Sequence, residues 1–296
     1  MKKFLFSILS LIIISSLSLA FEIEDNQIVD RSGNSVERKK YSKIITTDPA
    51  MVEIMYLIEG QNAIAAIGRT TQSQIHPVEE TEKLTSIGTI TRPNLELIIS
   101  MDPDLVILNG MTTSIVENLK NANIPVIISG ASSIDDILKN IEAIGILVGE
   151  EENANNLVAS SKENMERIKE AHKDKPTLKG IILLSSSPLM SFSRETLPGE
   201  VLELIGVDNL AKDVTGAQPI LSTEFIIMED PDFIAGAMSF RTVDEIKNAN
   251  PGLAGTKAFR NNNIFIVESS KILRGSPLIF EAIEVLSEEL SNLKID

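Results

Sequence analysis

Short apolar runs alternate with amphipathic stretches along most of the chain. In the first half, four apolar runs predict β-strands, and three stretches with an apolar residue every three to four positions predict helices. The predicted strands cover residues 43–46, 63–67, 105–108 and 125–128, and the predicted helices cover residues 50–58, 95–101 and 115–121. Strands that alternate with helices through short connections are typical of a mostly parallel sheet covered by helices.

The middle of the chain has a different pattern. Apolar residues from Ile134 to Leu147 follow a helical period, Gly149 interrupts it, and residues 151–172 have the composition of one long, mostly polar helix. Apolar strands resume at residues 180–184, 232–235 and 264–267, with helices at residues 199–205 and 277–293. Because the long helix offers no Gly/Pro-rich linker, we expect it to act as a stiff spine between two halves of the chain.

A nine-residue pattern occurs twice, 128 positions apart. Residues 96–104 read ELIISMDPD and residues 224–232 read EFIIMEDPD, so the two copies begin at Glu96 and Glu224. The repeat predicts two lobes of similar build, and a cleft between matched lobes is a common place for a ligand. Chance similarity of two helix–strand connections is the alternative, since Asp-Pro is common after a helix.

The first twenty residues have the pattern of an export signal. Lys2 and Lys3 precede an apolar stretch, and Ser18 and Ala20 are the small residues expected at positions −3 and −1 of a cleavage site. The stretch is shorter than the roughly 20 apolar residues that a membrane span needs. We therefore predict a signal peptide at residues 1–20 and a mature chain that begins near Phe21.

Charge and cysteine content limit the functions and locations that the sequence allows. The formal charge of −15 disfavours binding to nucleic acid or anionic lipid. The sequence contains no cysteine, so an exported form would have neither a disulfide nor a lipid on an N-terminal cysteine. These features predict a periplasmic protein that is not a lipoprotein.

Four stretches, taken in order, resemble one known family. IVDRSGNSV with SKIITTDPAMVEIMYLI, then IGTITRPNLELIISMDPDLVI, SFSRETLPGEVLELIGVDNLAKD and ILRGSPLIFEAIEVL are similar to the periplasmic solute-binding proteins of ABC importers for iron chelates, haem and cobalamin. The resemblance runs from about Ile28 to Leu293. It implies an α/β fold of two Rossmann-like lobes with mostly parallel sheets, bridged by one long α-helix. We place the lobes at residues 21–148 and 176–296 and the spine helix at residues 149–175.

The same resemblance implies a docking role for the repeat. In that family, each lobe carries an exposed glutamate that docks onto arginines of the membrane permease, and these positions fall on Glu96 and Glu224. A carboxylate at a helix start is also favoured by the helix dipole. The alternative is that both are ordinary solvated residues of a first helical turn.

The cleft should be lined by loops at the carboxyl ends of the strands. Five of the nine arginines lie in these loops, and arginine forks suit carboxylates and other anionic groups. This excess of positive charge favours an anionic ligand. The predicted ligand-binding residues are Asp48, Arg69, Thr89, Arg92, Met111, Ser193, Arg194, Phe240, Arg241 and Arg274.

The resulting functional prediction is capture of an iron chelate, either a ferric siderophore or haem, and its delivery to an ABC permease dimer with its ATPase. A cobalamin- or corrinoid-binding protein of the same family is the alternative. Haem would need an axial ligand, and haem-binding relatives often place a tyrosine where this chain has Thr89; Met111 or Met238 could substitute. Cobalamin-binding relatives surround the corrin with aromatic rings, which are scarce in this sequence.

Other classes of function lack sequence support. Only His76 and His172 are present, too few for a bare zinc or manganese site, so no metal and no intrinsic cofactor are predicted. No hydrolase elbow, nucleotide-binding loop or zinc-protease motif occurs. We therefore expect a monomeric binding protein with no catalytic residues. An exported enzyme on the same fold and a sensing or adhesion module are the remaining alternatives.

Overall fold

The computed structural model describes residues 19–70 and 73–295. The predicted signal peptide therefore lies outside the described residues, apart from Leu19 and Ala20. The described chain opens with a small antiparallel sheet of three strands. Its strands are β1 (Glu22–Ile23), β2 (Gln27–Val29) and β3 (Ser35–Glu37).

The first lobe contains a five-stranded parallel sheet in the order β6-β5-β4-β7-β8. Its strands are β4 (Ile44–Thr46), β5 (Ile64–Arg69), β6 (Ser86–Thr89), β7 (Leu105–Asn109) and β8 (Val126–Ser129). Its helices are α1 (Pro49–Leu57), α2 (Val78–Thr81), α3 (Leu95–Ser100) and α4 (Val116–Asn121). Helix α1 begins one residue before the predicted start at residue 50, because Asp48 caps it and Pro49 occupies its first turn.

Two long helices connect this lobe to the next. Helix α5 (Ile134–Val148) ends at Gly149, whose φ of 72° suits glycine. Helix α6 (Glu151–His172) follows directly and spans 22 residues, about 33 Å at 1.5 Å per residue. Helix α6 lies within the range of residues 149–175 that was predicted for a spine helix and is shorter than that range.

The second lobe contains a mostly parallel sheet in the order β10-β9-β12-β13, with a short strand also paired to β9. Its strands are β9 (Lys179–Ser186), β10 (Leu189–Ser191), β11 (Asp208–Asn209), β12 (Phe233–Gly236) and β13 (Ile264–Ile266). Only β10 runs antiparallel to its neighbour. Its helices are α7 (Leu197–Leu204), α8 (Thr223–Glu229), α9 (Val243–Ala249), α10 (Lys257–Arg260), α11 (Ser269–Ile272) and α12 (Ile279–Ser291).

The two copies of the repeat occupy equivalent places in the two lobes. Asp104 accepts a hydrogen bond from the backbone N–H of Lys43, just before β4, and Asp232 accepts one from the N–H of Lys179, at the start of β9. The registers agree as well, because Leu105 pairs beside Ile44 and Phe233 pairs beside Gly180. The repeat therefore marks the same helix–turn–strand unit in two Rossmann-like lobes, and the predicted fold class is confirmed.

Each sheet buries two faces, as alternation along its strands requires. In β4, Ile45 packs into a core cluster confined to the first lobe, and in β9, Ile181 packs into one confined to the second. The neighbouring residues Ile44 and Ile182 belong instead to one large cluster that also contains α5 and part of α6. No helix in the described part of the chain is both long and apolar enough to cross a membrane.

Candidate functional site

A cleft of about 1070 Å³ lies between the lobes, where the loops after the strands of both sheets meet. The first lobe contributes loops that follow all five strands of its parallel sheet, and the second contributes loops that follow β12 and β13. This is the position expected for a ligand site in α/β folds. The side chains that could determine its chemistry are Asp48, Met111, Ser129, Met238, Ser239, Phe240, Arg241, Glu268, Ser269, Ser270 and Arg274.

Asp48 forms part of the cleft wall but is already held by the protein. One carboxylate oxygen accepts the backbone N–H of Ala50 at 2.9 Å, which caps α1, and the other accepts the hydroxyl of Ser129 at 2.6 Å. The residue is 4% exposed. Its first role is to join the start of α1 to the end of β8, so that both loops present a fixed surface to the cleft.

Two methionines project into the cleft, one from each lobe. Met111 follows β7 and is 68% exposed, and Met238 follows the equivalent strand β12 and is 46% exposed. Met238 adopts a φ of 54°, which is unusual for a residue with a side chain, and its N–H is held by the hydroxyl of Ser269 at 2.7 Å. Such backbone strain is often found at ligand sites. Flexible, polarizable thioethers on both walls suit a large ligand with an irregular surface.

Arg274 reaches across from the second lobe to the first. Its guanidinium forms an ion pair with Glu53 of α1 and also donates to the carbonyl of Gln74 and to the hydroxyl of Ser73. Glu53 is 1% exposed and the Arg274 side chain 9%. Burial raises the pKa of Glu53, an effect that the charge of Arg274 opposes. Arg274 therefore neutralises a buried carboxylate and ties the lobes together beside the cleft.

Arg241 is the one arginine of the lining with no ion pair among the described residues. Its own backbone N–H is bound by Glu245 of α9, and its side chain is exposed. The other charged residues of the lining are Asp48, Glu268 and the paired Arg274. Two acids and two bases face the cleft, so the described lining has no excess of positive charge.

Three predicted ligand residues of the first lobe lie outside the cleft lining. Arg69 turns away, because its guanidinium donates to the carbonyls of Thr81, Glu82 and Leu84 around the end of α2. It lines a smaller neighbouring pocket of about 340 Å³. Thr89 and Arg92 belong to an exposed turn in which the hydroxyl of Thr89 accepts the N–H of Arg92 at 3.1 Å.

Ser193 and Arg194 also lie outside the lining, for a topological reason. They follow β10, which runs antiparallel to β9 and so carries the chain back from the carboxyl end of the sheet. Ser193 is buried in the turn before α7, and Arg194 pairs with Asp213 at 2.6 Å. The five arginines expected in one groove are thus distributed over separate surfaces. Asp48, Met111, Phe240, Arg241 and Arg274 are the predicted residues that the cleft brings together.

Sequence reasoning missed the partner of Arg274. Glu53 is the one charged residue in helix α1, whose other described residues are apolar apart from Tyr56. A single carboxylate in such a helix signals a buried partner, because an unpaired buried charge is strongly unfavourable. The partner itself lies 221 positions away, a distance that no local pattern can bridge.

The donor set of the cleft contains thioethers, hydroxyls and carboxylates, but no imidazole or phenol. Within residues 19–70 and 73–295, no group of three or more His, Asp and Glu residues is placed to hold a metal ion. His76 donates its backbone N–H to Glu53, and His172 contacts the carbonyl of Ile168 through its ring.

Glu96 and Glu224 occupy equivalent positions in the first turns of α3 and α8, and both are exposed. Asn94 and Ser222 cap these helices by accepting the N–H of Leu97 and of Phe225. One turn after each glutamate lies an exposed isoleucine, Ile99 (39%) or Ile227 (40%). Because residues i and i+3 share a helix face, each lobe presents the same pair of side chains, one acidic and one apolar.

Comparison with known proteins agrees with this architecture. An ABC transporter substrate-binding lipoprotein of Bacillus subtilis, YvrC, is 28% identical over 277 residues, covering 89% of this chain and 84% of the relative. A cobalamin-binding protein of Halobacterium salinarum is 24% identical over 261 residues, covering 86% of this chain and 70% of the relative. The structure of the periplasmic haem-binding protein HutB of Vibrio cholerae superimposes with a TM-score of 0.74 at 20% identity, covering 86% of this chain and 99% of that one.

The sequence pattern of one family accounts for most of the described chain. The family described as "Periplasmic binding protein" matches residues 44–270, from the first strand of the first parallel sheet to the helix after the last strand of the second. The match includes both copies of the repeat, the long helix and most of the residues that line the cleft, although Arg274 lies just beyond it. The chain belongs to the periplasmic binding protein family.

Proposed function

We propose that this chain is the substrate-binding component of an ABC importer and that its cleft captures a large metal chelate with little net charge. The observation that carries the proposal is the lining of the cleft, in which Arg241 is the one arginine with no ion pair among the described residues and two methionines project from opposite walls. The chain then binds its substrate and releases it unchanged to a permease. As a member of a family of binding proteins, it performs no chemical step on the ligand.

The shortage of free cations in the cleft changes the ranking of the ligands that the sequence suggests. Haem has two propionates, and many ferric siderophores are anionic, so both would require free cations in the cleft. Arg274 is occupied by Glu53, which leaves Arg241 as the cation with no ion pair among the described lining residues. A neutral ferric hydroxamate or a corrinoid places fewer demands on such a surface.

A cobalamin-type corrinoid is the first candidate within this class. The relative from Halobacterium salinarum is named for cobalamin, and the cleft volume of about 1070 Å³ is at the upper end of the usual range for ligand sites. The scarcity of aromatic rings is compensated by Met111 and Met238, which offer apolar, adaptable contact to both faces of a macrocycle. A neutral ferric hydroxamate is the second candidate.

Titration of the purified protein with three probes tests the ligand class. The absorbance spectrum as isolated is recorded first; because the chain has no tryptophan, ligand bands stand out against weak protein absorbance. Isothermal titration with cyanocobalamin, a neutral ferric hydroxamate and haem then follows. We expect saturable binding of cyanocobalamin and weak or no binding of haem. A stoichiometric haem complex with a Soret band, and no response to the two neutral probes, would contradict the proposal.

Variants of the lining test its mode of recognition. Met111→Ala and Met238→Ala should each weaken binding by about tenfold, the effect of losing roughly 1.4 kcal/mol of apolar contact. Arg241→Ala should change the affinity for a neutral ligand by less than about threefold, since it removes no ligand charge pair. Met228→Ala is the matched control, because this methionine is 77% exposed on α8 and lies outside the cleft lining. A loss with Arg241→Ala that exceeds both methionine effects would point to an anionic ligand.

We further propose that Glu96 and Glu224 dock onto the permease, each together with the isoleucine one turn later. The equivalent placement of the two pairs supports a two-point contact that depends on the relative position of the lobes. Paired cations on the permease would bind the carboxylates, and small apolar pockets would receive Ile99 and Ile227. In this mode, the permease recognises the relative position of the two lobes in the ligand-bound protein.

Uptake measurements separate docking from ligand capture. The double variant Glu96→Lys/Glu224→Lys should abolish uptake and leave the ligand affinity unchanged, whereas Ile99→Ser/Ile227→Ser should reduce uptake without changing any charge. Glu117→Lys is the control, since Glu117 is also an exposed glutamate in a first helical turn, on α4. Normal uptake by the double lysine variant would exclude the docking role.

The proposed location is the periplasm, in a form that is exported through the signal peptide, monomeric and without a lipid anchor. The lack of cysteine supports the last point, although the Bacillus subtilis relative is named a lipoprotein. Fractionation with detection of the mature chain tests the location. Recovery of the protein in the membrane pellet after a high-salt wash would contradict it.

A further inference from the structure

The chain on either side of Ala20 is tightly placed against the start of α5. Ala20 is 2% and Phe21 1% exposed, and β1 begins at the next residue. The N–H of Phe21 donates to Oδ1 of Asn140 at 3.1 Å, and the N–H of Leu19 donates to Oδ2 of Asp136 at 3.3 Å. Leu19 itself lies in the ligand cleft, packed on Gly130.

The acceptors at this place form a built site. Asp136 and Asn140 are one helical turn apart on the same face of α5 and are 2% and 0% exposed. Oδ2 of Asp136 also accepts the N–H and the hydroxyl of Ser132, and the amide of Asn140 donates to the carbonyl of Gly130, which leaves its Oδ1 directed at Phe21. A buried carboxylate beside an aligned amide oxygen is a suitable receptor for an ammonium group.

We propose that, once the signal peptide predicted at residues 1–20 is removed, Asn140 binds the α-ammonium group of Phe21 which cleavage creates, with the carboxylate of Asp136 one helical turn away. In this hydrolysis, catalysed by an endopeptidase of the export machinery, water adds across the bond. The carbonyl of Ala20 becomes a carboxylate, and the nitrogen of Phe21 takes up protons to become an ammonium. Loss of Leu19 removes one of the donors to Oδ2 of Asp136, which still accepts both hydrogen bonds from Ser132 and lies one turn from Asn140, near the new charge.

Burial of the bond fixes the order of events. A protease must draw an extended segment into its own active site, and a bond flanked by residues 2% and 1% exposed cannot be drawn out of the folded protein. Cleavage therefore precedes completion of the fold. Folding then seals the new terminus against α5, while removal of Leu19 opens the end of the cleft formed by Gly130 and Ala131. This opening rests on the proposed function, whereas the ammonium site does not.

The mass of the exported protein and the reactivity of its terminus test the site without any ligand. The full-length chain is expressed with export, and intact mass spectrometry should show a chain that begins at Phe21. Reductive dimethylation of the folded protein should then modify the exposed lysines and leave the terminus at least about tenfold slower than in urea, as burial predicts. A mature chain that starts elsewhere, or a terminus that reacts as fast folded as unfolded, would overturn the proposal.

The pH dependence of stability tests the charge itself. The mature chain that begins at Phe21 is compared with its Asp136→Asn variant by urea unfolding between pH 6 and pH 10. A bound ammonium group stabilises the folded protein only while it is charged, so its effect is complete near pH 6 and is lost as the pH rises and the group deprotonates. We expect the difference in stability between the two chains to shrink as the pH rises. A difference that does not change with pH would overturn the proposal. If neither chain bound a metal chelate, only the proposed function would fail.

Discussion

The sequence analysis predicts Arg274 as a ligand-binding residue, but its contacts show that it binds residues of the other lobe. The guanidinium lies at the cleft, but Glu53, Ser73 and Gln74 of the other lobe take up its hydrogen bonds. Removing one member of a buried pair is much more costly than replacing both, because the remaining charge keeps its desolvation penalty. The pair therefore fixes how the lobes meet, and its contribution can be separated from ligand binding.

We expect Arg274→Met to destabilise the protein by about 3 kcal/mol at pH 8, since it leaves the buried Glu53 unpaired. The double variant Glu53→Leu/Arg274→Met should recover much of this loss, which a double-mutant cycle by urea unfolding would measure. The single loss should also shrink at low pH. Burial raises the pKa of Glu53. Below its pKa in the unfolded chain, Glu53 is fully protonated, and the variant then buries no unpaired charge. This advantage is lost as the pH rises through the pKa of Glu53 in the folded protein.

The exposed pair of Arg167 on α6 and Glu284 on α12 is the control for this cycle. Its side chains are 61% and 55% exposed, so Arg167→Met should cost less than about 1 kcal/mol and show little dependence on pH. If Arg274→Met were no more harmful than Arg167→Met, the Glu53–Arg274 pair would have no part in joining the lobes.

The two copies of the repeat share one backbone and differ in what their side chains do. Asp102 and Asp230, the residues after α3 and α8, both adopt a φ of 47°. Asp230 also accepts the N–H of Lys257 at 2.7 Å and lies near Arg260, whereas Asp102 is exposed. The same turn is thus anchored by side-chain contacts in the second lobe and is set mainly by its backbone in the first.

Glycine substitution should act in opposite directions on these two turns. Asp102→Gly should stabilise the protein by about 0.5 kcal/mol, because relief of the left-handed conformation slightly exceeds the entropy that glycine adds to the unfolded chain. Asp230→Gly should destabilise it by about 1.5 kcal/mol, since it also removes a charged hydrogen-bond acceptor. Thermal unfolding of the two variants measures both. Equal shifts of the melting temperature would show that the contacts of Asp230 contribute nothing.

The elements with clear local signals were predictable from the sequence. Helix α6 begins at the predicted Glu151, and the strands of the first sheet agree with the predicted runs within one or two residues. Helix α7 begins two residues earlier than predicted, because Thr196 caps it and Pro198 is compatible with a first turn. The sequence did not predict the strands β6, β10 and β11 or the helices α2 and α9 to α11, since they are short and depend on contacts with the rest of the lobe.

The candidate site was less predictable than the fold. Assigning a residue to a loop after a strand does not say which way its side chain turns, and Arg69 turns towards three carbonyls. The hairpin formed by β9 and β10 reverses the chain before Ser193 and Arg194, and that reversal had no signal in the alternation of strands and helices. The positive charge available in the cleft depends on such pairings. The number of loop arginines in the sequence therefore overestimated this charge.

The three largest of the four core clusters in the described chain organise the molecule into two lobes that share a centre. Each sheet has one face in its own cluster, and the other faces of both sheets meet α5 and part of α6 in a common one. The carboxylate of Glu200 on α7 adds a polar connection, because it accepts the N–H of Ile134 at the start of α5 at 2.7 Å. A long helix packed into a common core resists bending, so we expect ligand binding to close the cleft only slightly.

The shared core also predicts that the lobes unfold together. Ile45 and Ile181 occupy equivalent positions in β4 and β9, are 0% exposed, and belong to clusters that do not leave their own lobe. Each truncation to alanine should cost about 2–5 kcal/mol through the cavity that it creates. If the common core couples the lobes, calorimetry should show one transition for the wild type and for each variant, with equal calorimetric and van't Hoff enthalpies. Lobes that unfold independently would give two transitions, with Ile45→Ala lowering one and Ile181→Ala the other. Ile99→Ala, which truncates an exposed isoleucine on α3, is the control and should leave the transition unchanged.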